Sequence, residues 1–151
     1  MVLEQELASI FGFVLTAAGN PYPYYRDLPQ DFQVPAAYFP IPEIITSGDT
    51  FSSYGAEYDW YIKFIHSETQ EAYEIALSAL IALKEARNLV PLRGQDGKLT
   101  GKGVRIKDPE LRTLDKGVVQ LKIRFVSRRP YSASTASRMR SYDMRAAYKK
   151  H

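Results

Sequence analysis

One change of rhythm constrains this chain more than any other feature. "AEYDWYIKFIHS" alternates at every second residue, and "ETQEAYEIALSALIALKEARN", directly after it, repeats at every third or fourth. A period of two is a strand with two unlike faces, and a period near 3.6 is an amphipathic helix. Tyr58, Trp60, Ile62 and Phe64 share one strand face, and Asp59, Tyr61, Lys63 and Ile65 share the other. The helix is expected over 68–88, with Ala72, Ile75, Ala76, Ala79, Leu80, Leu83 and Ala86 as its apolar stripe. So many alanines let a helix approach a sheet closely. Ser67 and Gln70 have capping-box spacing, and Glu68, Glu71 and Glu74 suit the positive end of a helix dipole.

A second alternation closes the part of the sequence that reads as the domain. In "VVQLKIRFVS", Val119, Leu121, Ile123 and Phe125 face one way while Gln120, Lys122 and Arg124 face the other. Near the start, Leu3, Leu7, Ile10, Phe11, Val14 and Ala18 form a helical stripe, ended by Gly19 and Pro21. Phe13 and Leu15 fall off that stripe, which gives the first helix a second apolar surface. "NPYPYYRDLPQDFQVP" reads as an extended, proline-rich connector. "AAYFPIPEIITSGDT" suits an edge or interrupted strand, because Pro40 and Pro42 each remove a ladder donor. Four glycines in "LRGQDGKLTGKG" point to a mobile loop or a weak hairpin carrying Arg93, Lys98 and Lys102. "VRIK" (104–107) is a short strand, with a turn beginning at Asp108-Pro109.

Helix, strand, strand, helix, strand, strand is an α+β order. The expected architecture is an antiparallel sheet of mixed strand length, two main helices packed on one face, and a basic C-terminal extension. Residues 1–126 form the single domain and 127–151 the extension, with a short helix as an option for its second half. The extension is "SRRPYSASTASRMRSYDMRAAYKKH". It holds Arg128, Arg129, Arg138, Arg140, Arg145, Lys149 and Lys150 against one acid, Asp143, a net of +6 in a chain of net +3. The body before it is therefore mildly acidic, at −3.

These numbers exclude some functions. Without cysteine there is no disulfide framework and no thiolate chemistry. No apolar run approaches a membrane span, and Glu4 and Glu6 stand where a secretory signal needs positive charge. The only histidines, His66 and His151, have no companions at metal-ligand spacing. "GKLTGKG" lacks the strand-to-helix setting of a phosphate cradle. The expectation is a chain with no catalytic residues, no metal and no cofactor. Eleven tyrosines point instead to surfaces that meet other proteins, with Tyr22, Tyr24 and Tyr25 in the connector and Phe39 beyond it as candidates.

"YFPIPEI" followed by "SSYGAEYDWYIKFIHSETQEAYEIALSALIALKEA" resembles the tail terminator, or tail-completion, proteins of tailed bacteriophages. Pro40, Glu43, Ser53, Gly55 and Glu57 fall at matching places, and "DKGVVQLKIRFVS" is similar to the family's closing strand. Pro42 and the long basic extension depart from the pattern. The resemblance implies a non-enzymatic virion protein, made in the host cytoplasm and placed at the head-proximal end of the tail. It implies a ring, a hexamer, that ends growth of the tail tube and meets the tube protein on one side and the head-tail connector or a head-completion protein on the other. Genome DNA would pass through such a ring without sequence-specific binding, and no membrane is involved. The alternatives are another head-completion protein or a small nucleic-acid-binding protein with a basic tail. The extension itself reads as a strap onto a neighbouring subunit, tube or connector more than as a DNA arm.

Overall fold

In a computed structural model the described residues are 2–47 and 53–130. The chain runs α1 (Val2–Ala17), β1 (Tyr22–Tyr25), β2 (Ala36–Phe39), β3 (Glu43–Ser47), β4 (Ser53–Ile65), α2 (Thr69–Glu85), β5 (Leu89–Arg93), β6 (Leu99–Asp115) and β7 (Val118–Pro130). Seven strands make one curled sheet in the order β1-β2-β4-β7-β6-β5, with β3 beside β4. The α+β class holds. The sheet, however, is mixed and not antiparallel, because β1 pairs with β2 in parallel register, Tyr22 opposite Ala36. The connector's prolines hid this strand. Pro23 sits at its edge, where a missing donor costs the ladder nothing when that N–H points outward.

The centre of the sheet is the β4–β7 pair, thirteen residues in continuous antiparallel register from Ser53↔Pro130 to Ile65↔Val118. Their inward residues, Tyr58, Trp60, Ile62 and Phe64 against Val119, Leu121, Ile123 and Phe125, are the buried core, as the alternation requires. Ala72, Ala76, Ala79 and Leu83 carry α2 onto this face. α1 lies on the same side and spans the curl of the sheet. Its Ser9 hydroxyl accepts the Arg93 N–H of β5 at 2.9 Å, and its Phe11 ring lies 4.4 Å from the ring of Phe39 in β2. Phe13 and Leu15, off the main stripe, pack against the core from its margin. Deeper in, the Ser127 hydroxyl donates to Glu6 at 2.6 Å and satisfies a buried carboxylate.

β2 and β3 are one strand broken by Pro40-Ile41-Pro42, both running antiparallel to β4 along the same side of it. Between Tyr38↔Lys63 and Glu43↔Asp59 the chain fits four residues opposite three of β4, a bulge. Trp60 holds the break by donating its indole N–H to the Pro40 carbonyl.

Two other local expectations are corrected. α2 begins after Glu68 with no side-chain cap, and the hydroxyl of Thr69 instead accepts the Gly117 N–H at 2.8 Å. Asp108-Pro109 does not end a short strand. It is a bulge inside β6, with Asp108 at φ 48°, and the strand continues on to Asp115.

Candidate partner surface

Exposed apolar side chains gather along one side of the sheet. β1 presents Tyr22, half exposed, and Tyr25; the loop after it presents Val34; the β2–β3 break and β3 present Ile41, Ile44 and Ile45. Ile41 and Ile44 are 66% and 61% exposed, high for isoleucine on a structured edge. The tyrosines are held rigidly. Tyr24 packs 4.9 Å from Tyr22 and takes the Gln33 N–H on its hydroxyl at 2.8 Å, while Tyr25 meets Phe11 edge-on and lies under Arg26, 5.3 Å from the ring centre. A rigid aromatic loses little entropy when a partner covers it. Phe39 is different. It is fully buried between Phe11 and Trp60 and belongs to the core, not to a partner surface.

The opposite side has another character. β5 and β6 form a hairpin in which the Arg93 guanidinium donates to the Gly97 carbonyl at 2.9 Å and the Gly94 N–H donates to the Lys98 carbonyl. Arg93, Lys98 and Lys102 are all exposed there, beside Leu99 at 62% exposure. β7 carries the backbone of Arg128 and Arg129 to its end, paired with Gly55 and Tyr54. Arg138, Arg140, Arg145, Lys149 and Lys150 lie outside the described residues. One side is thus aromatic and aliphatic, the other basic with an apolar point. Composition and alternation could not have grouped Ile41, Ile44 and Ile45, because only the pairing of β3 shows that its edge is outermost.

The sheet face away from the helices is polar and organised around β4 and β7. Asp59 accepts two hydrogen bonds from Arg124, at 2.6 and 3.0 Å, and Glu57 adds a second acid 3.6 Å from the same guanidinium. The hydrogen bond from Arg124 holds the Asp59 carboxyl below the ordinary carboxylate range, against the opposing effect of its burial. Lys63 lies 5.8 Å from the Tyr38 ring centre and Lys122 5.9 Å from that of Tyr61. Burial lowers the Lys63 pKa. Among the described residues no group of three or more His, Asp or Glu side chains is placed to hold a metal ion. None of the described helices is long and apolar enough to cross a membrane.

Fold and surface together define a small α+β protein whose curled mixed sheet offers two unlike sides. The amino-acid sequence is 33% identical over 147 residues to the phage-like element PBSX protein XkdJ of Bacillus subtilis (strain 168), covering 97% of this chain and all of that protein. The chain belongs to the family of that protein. A second Bacillus subtilis (strain 168) relative, the uncharacterized protein YqbJ, is 32% identical over 116 residues, 75% of this chain and 77% of its own length. No family model matches. Among solved structures, a chain from the virion of a native gene transfer agent particle shares the fold, with a TM-score of 0.51 at 18% identity over 86% of this chain and 98% of that one.

Proposed function

We propose that this protein is a non-enzymatic structural component of a phage-type virion, which caps the tail tube as a ring, a hexamer, and joins the tail to the head connector. The observation that carries the reading is the full-length relationship to a protein of a phage-like element, extended by a shared fold with a chain of a virion particle. The surface supports the ring. A closed ring needs heterologous contacts between two different patches of each copy, and the chain has an aromatic-aliphatic side and a basic side on opposite ends of its strand order. The resemblance of "YFPIPEI" and the β4–α2 unit to tail terminators supports the finer position, between tube and connector. A mildly acidic body suits a channel for DNA, because accumulated positive charge would grip phosphate in transit.

Electron microscopy of the protein mixed with growing tail tubes tests this. The expected result is a ring at one tube end and an arrest of tube length. A ring that binds isolated head connectors and leaves tubes growing would move the protein to head completion instead.

A further inference from the structure

We infer that the β5–β6 hairpin of one copy seats its tip, Leu99 between Lys98 and Lys102, on the apolar patch that Tyr22, Tyr25, Ile41 and Ile44 form on the next copy. This deepens the ring reading proposed above and rests on it for the closed assembly, though not for the contact itself.

Both surfaces are exposed and already ordered. The patch lies along the stretch from β1 to β3, which pairing gathers on one side of the sheet. Contiguous apolar exposure of this kind marks a contact with another protein. Tyr25 is fixed edge-on against Phe11, and Tyr22 packs against Tyr24. The hairpin is as firmly held. The Thr100 hydroxyl donates to the Leu92 carbonyl at 2.9 Å, and the Lys98 N–H donates to the Asp96 carboxylate at 3.0 Å. Two surfaces ordered in advance lose little freedom when they meet.

Two features select a second copy as the occupant. The first is charge. Between Tyr22 and Ile45 the chain carries Asp27, Asp31 and Glu43 against Arg26, a net of −2. From 93 to 105 it carries Arg93, Lys98, Lys102 and Arg105 against Asp96, a net of +3. All of these side chains are exposed. The acids sit at the patch: Glu43 adjoins Ile44, and the Asp27 N–H donates to the Tyr25 carbonyl. Among the described residues Asp27, Asp31, Glu43, Lys98 and Lys102 have no ion-pair partner. Opposite charge around an apolar contact steers the encounter and fixes which patch meets which. The second feature is topology. β1 and β5 are the two ends of the strand order, and Leu99 and Ile44 both remain exposed in the single chain, so one copy does not cover its own patch. Because the two surfaces are unlike, the contact is head-to-tail and can propagate around a ring; a patch that met its own copy would stop at a dimer.

The chain has no cysteine, so introduced thiols report without background. Two full-length variants, Gln95→Cys in the hairpin tip and Ile41→Cys in the patch, are mixed and treated with a short bismaleimide. The mixture should give heterodimers on a denaturing gel, and a chain with both thiols should give a ladder from dimers upward. Lys98→Glu with Lys102→Glu on the Gln95→Cys chain should cut the crosslinked yield roughly tenfold. Asp27→Lys with Glu43→Lys on the Ile41→Cys chain should then restore it, a rescue that misfolding of either variant cannot produce. Dimers from either thiol variant alone mean that like patches meet, and overturn the inference. So does a yield that the charge reversal leaves unchanged, or a mixture without heterodimers both at high concentration and on capped tubes. Crosslinking without tube capping keeps the contact and sinks the proposed function; capping without crosslinking does the reverse.

Discussion

The two ends of the β4–β7 pair share a pair of strands and almost nothing else. At the Ile65–Val118 end the hairpin from β6 turns through Gly117 directly under the start of α2. The His66 N–H donates to the Gly117 carbonyl, the Gly117 N–H donates to Thr69, and Phe64 and Val119 are sealed. At the Ser53–Pro130 end β6 has parted from β7 to pair with β5, and Ile44, on the same face as buried Tyr58, is largely exposed. One pair of strands thus anchors the core at one end and carries β3, with its exposed apolar side chains, at the other. Length makes this division possible, since β6 pairs with only part of the thirteen residues that β4 and β7 share.

The largest test of that contrast is at the closed end. Gly117 has φ 76°, and a Cβ there would stand 2.3 Å from the His66 carbonyl oxygen, a backbone atom that cannot swing away. Gly117→Ala should cost roughly 3 kcal/mol, from left-handed strain plus the displacement of the β4–α2 junction. Gly101, at φ 81° with open space around its Cβ position, provides the control. Gly101→Ala carries the backbone strain alone and should cost about 1 kcal/mol. Urea denaturation of the two variants checks the difference; equal losses would mean that the junction is not tightly packed.

The closed end is also where the sequence was most readable. Strict alternation in 56–65 and 118–126 and the alanine stripe of α2 each place one residue type on one face, so local pattern and global burial agree. The break at Pro40 and Pro42 was readable for a chemical reason, the loss of two donors. What escaped was information carried by pairing between distant residues. β1 looked like a connector because proline dominates its composition, and its partner lies eleven residues downstream of its end. Phe39 reads as a partner residue because it is an aromatic beyond the tyrosine connector, and what buries it, Phe11 and Trp60, lies far away in the sequence. Asp108-Pro109 hides the continuation of β6, because that dipeptide opens turns more often than it bulges a strand. The basic extension was conspicuous by charge, and charge alone does not give a surface a shape.

A middle-sized effect separates the two faces of the central strands. Asp59 is buried and clamped by Arg124, so its folded pKa lies below the unfolded value of about 3.9. A depressed carboxylate contributes stability that is complete above the unfolded value and is lost as pH falls through the folded one. Stability should therefore fall as the pH drops below about 4, and Asp59→Asn should flatten that part of the curve. Thermal melts between neutral and acidic pH measure it. A variant with an unchanged slope would transfer the acid sensitivity to other carboxylates.

The smallest expected change in stability comes from the open end, where the largest change in association belongs. Ile44 is mostly exposed, so Ile44→Lys removes little buried area and should alter unfolding by no more than about 0.5 kcal/mol. The same substitution puts a charge on an apolar edge, one of the commonest ways in which natural sheets repel additional strands. Self-association at high concentration, followed by sedimentation, should therefore be lost in a protein whose melting curve is nearly that of the parent. The reverse pattern, a large loss of stability with association intact, would mean that Ile44 serves the fold and that the open edge of β3 is covered by its own chain.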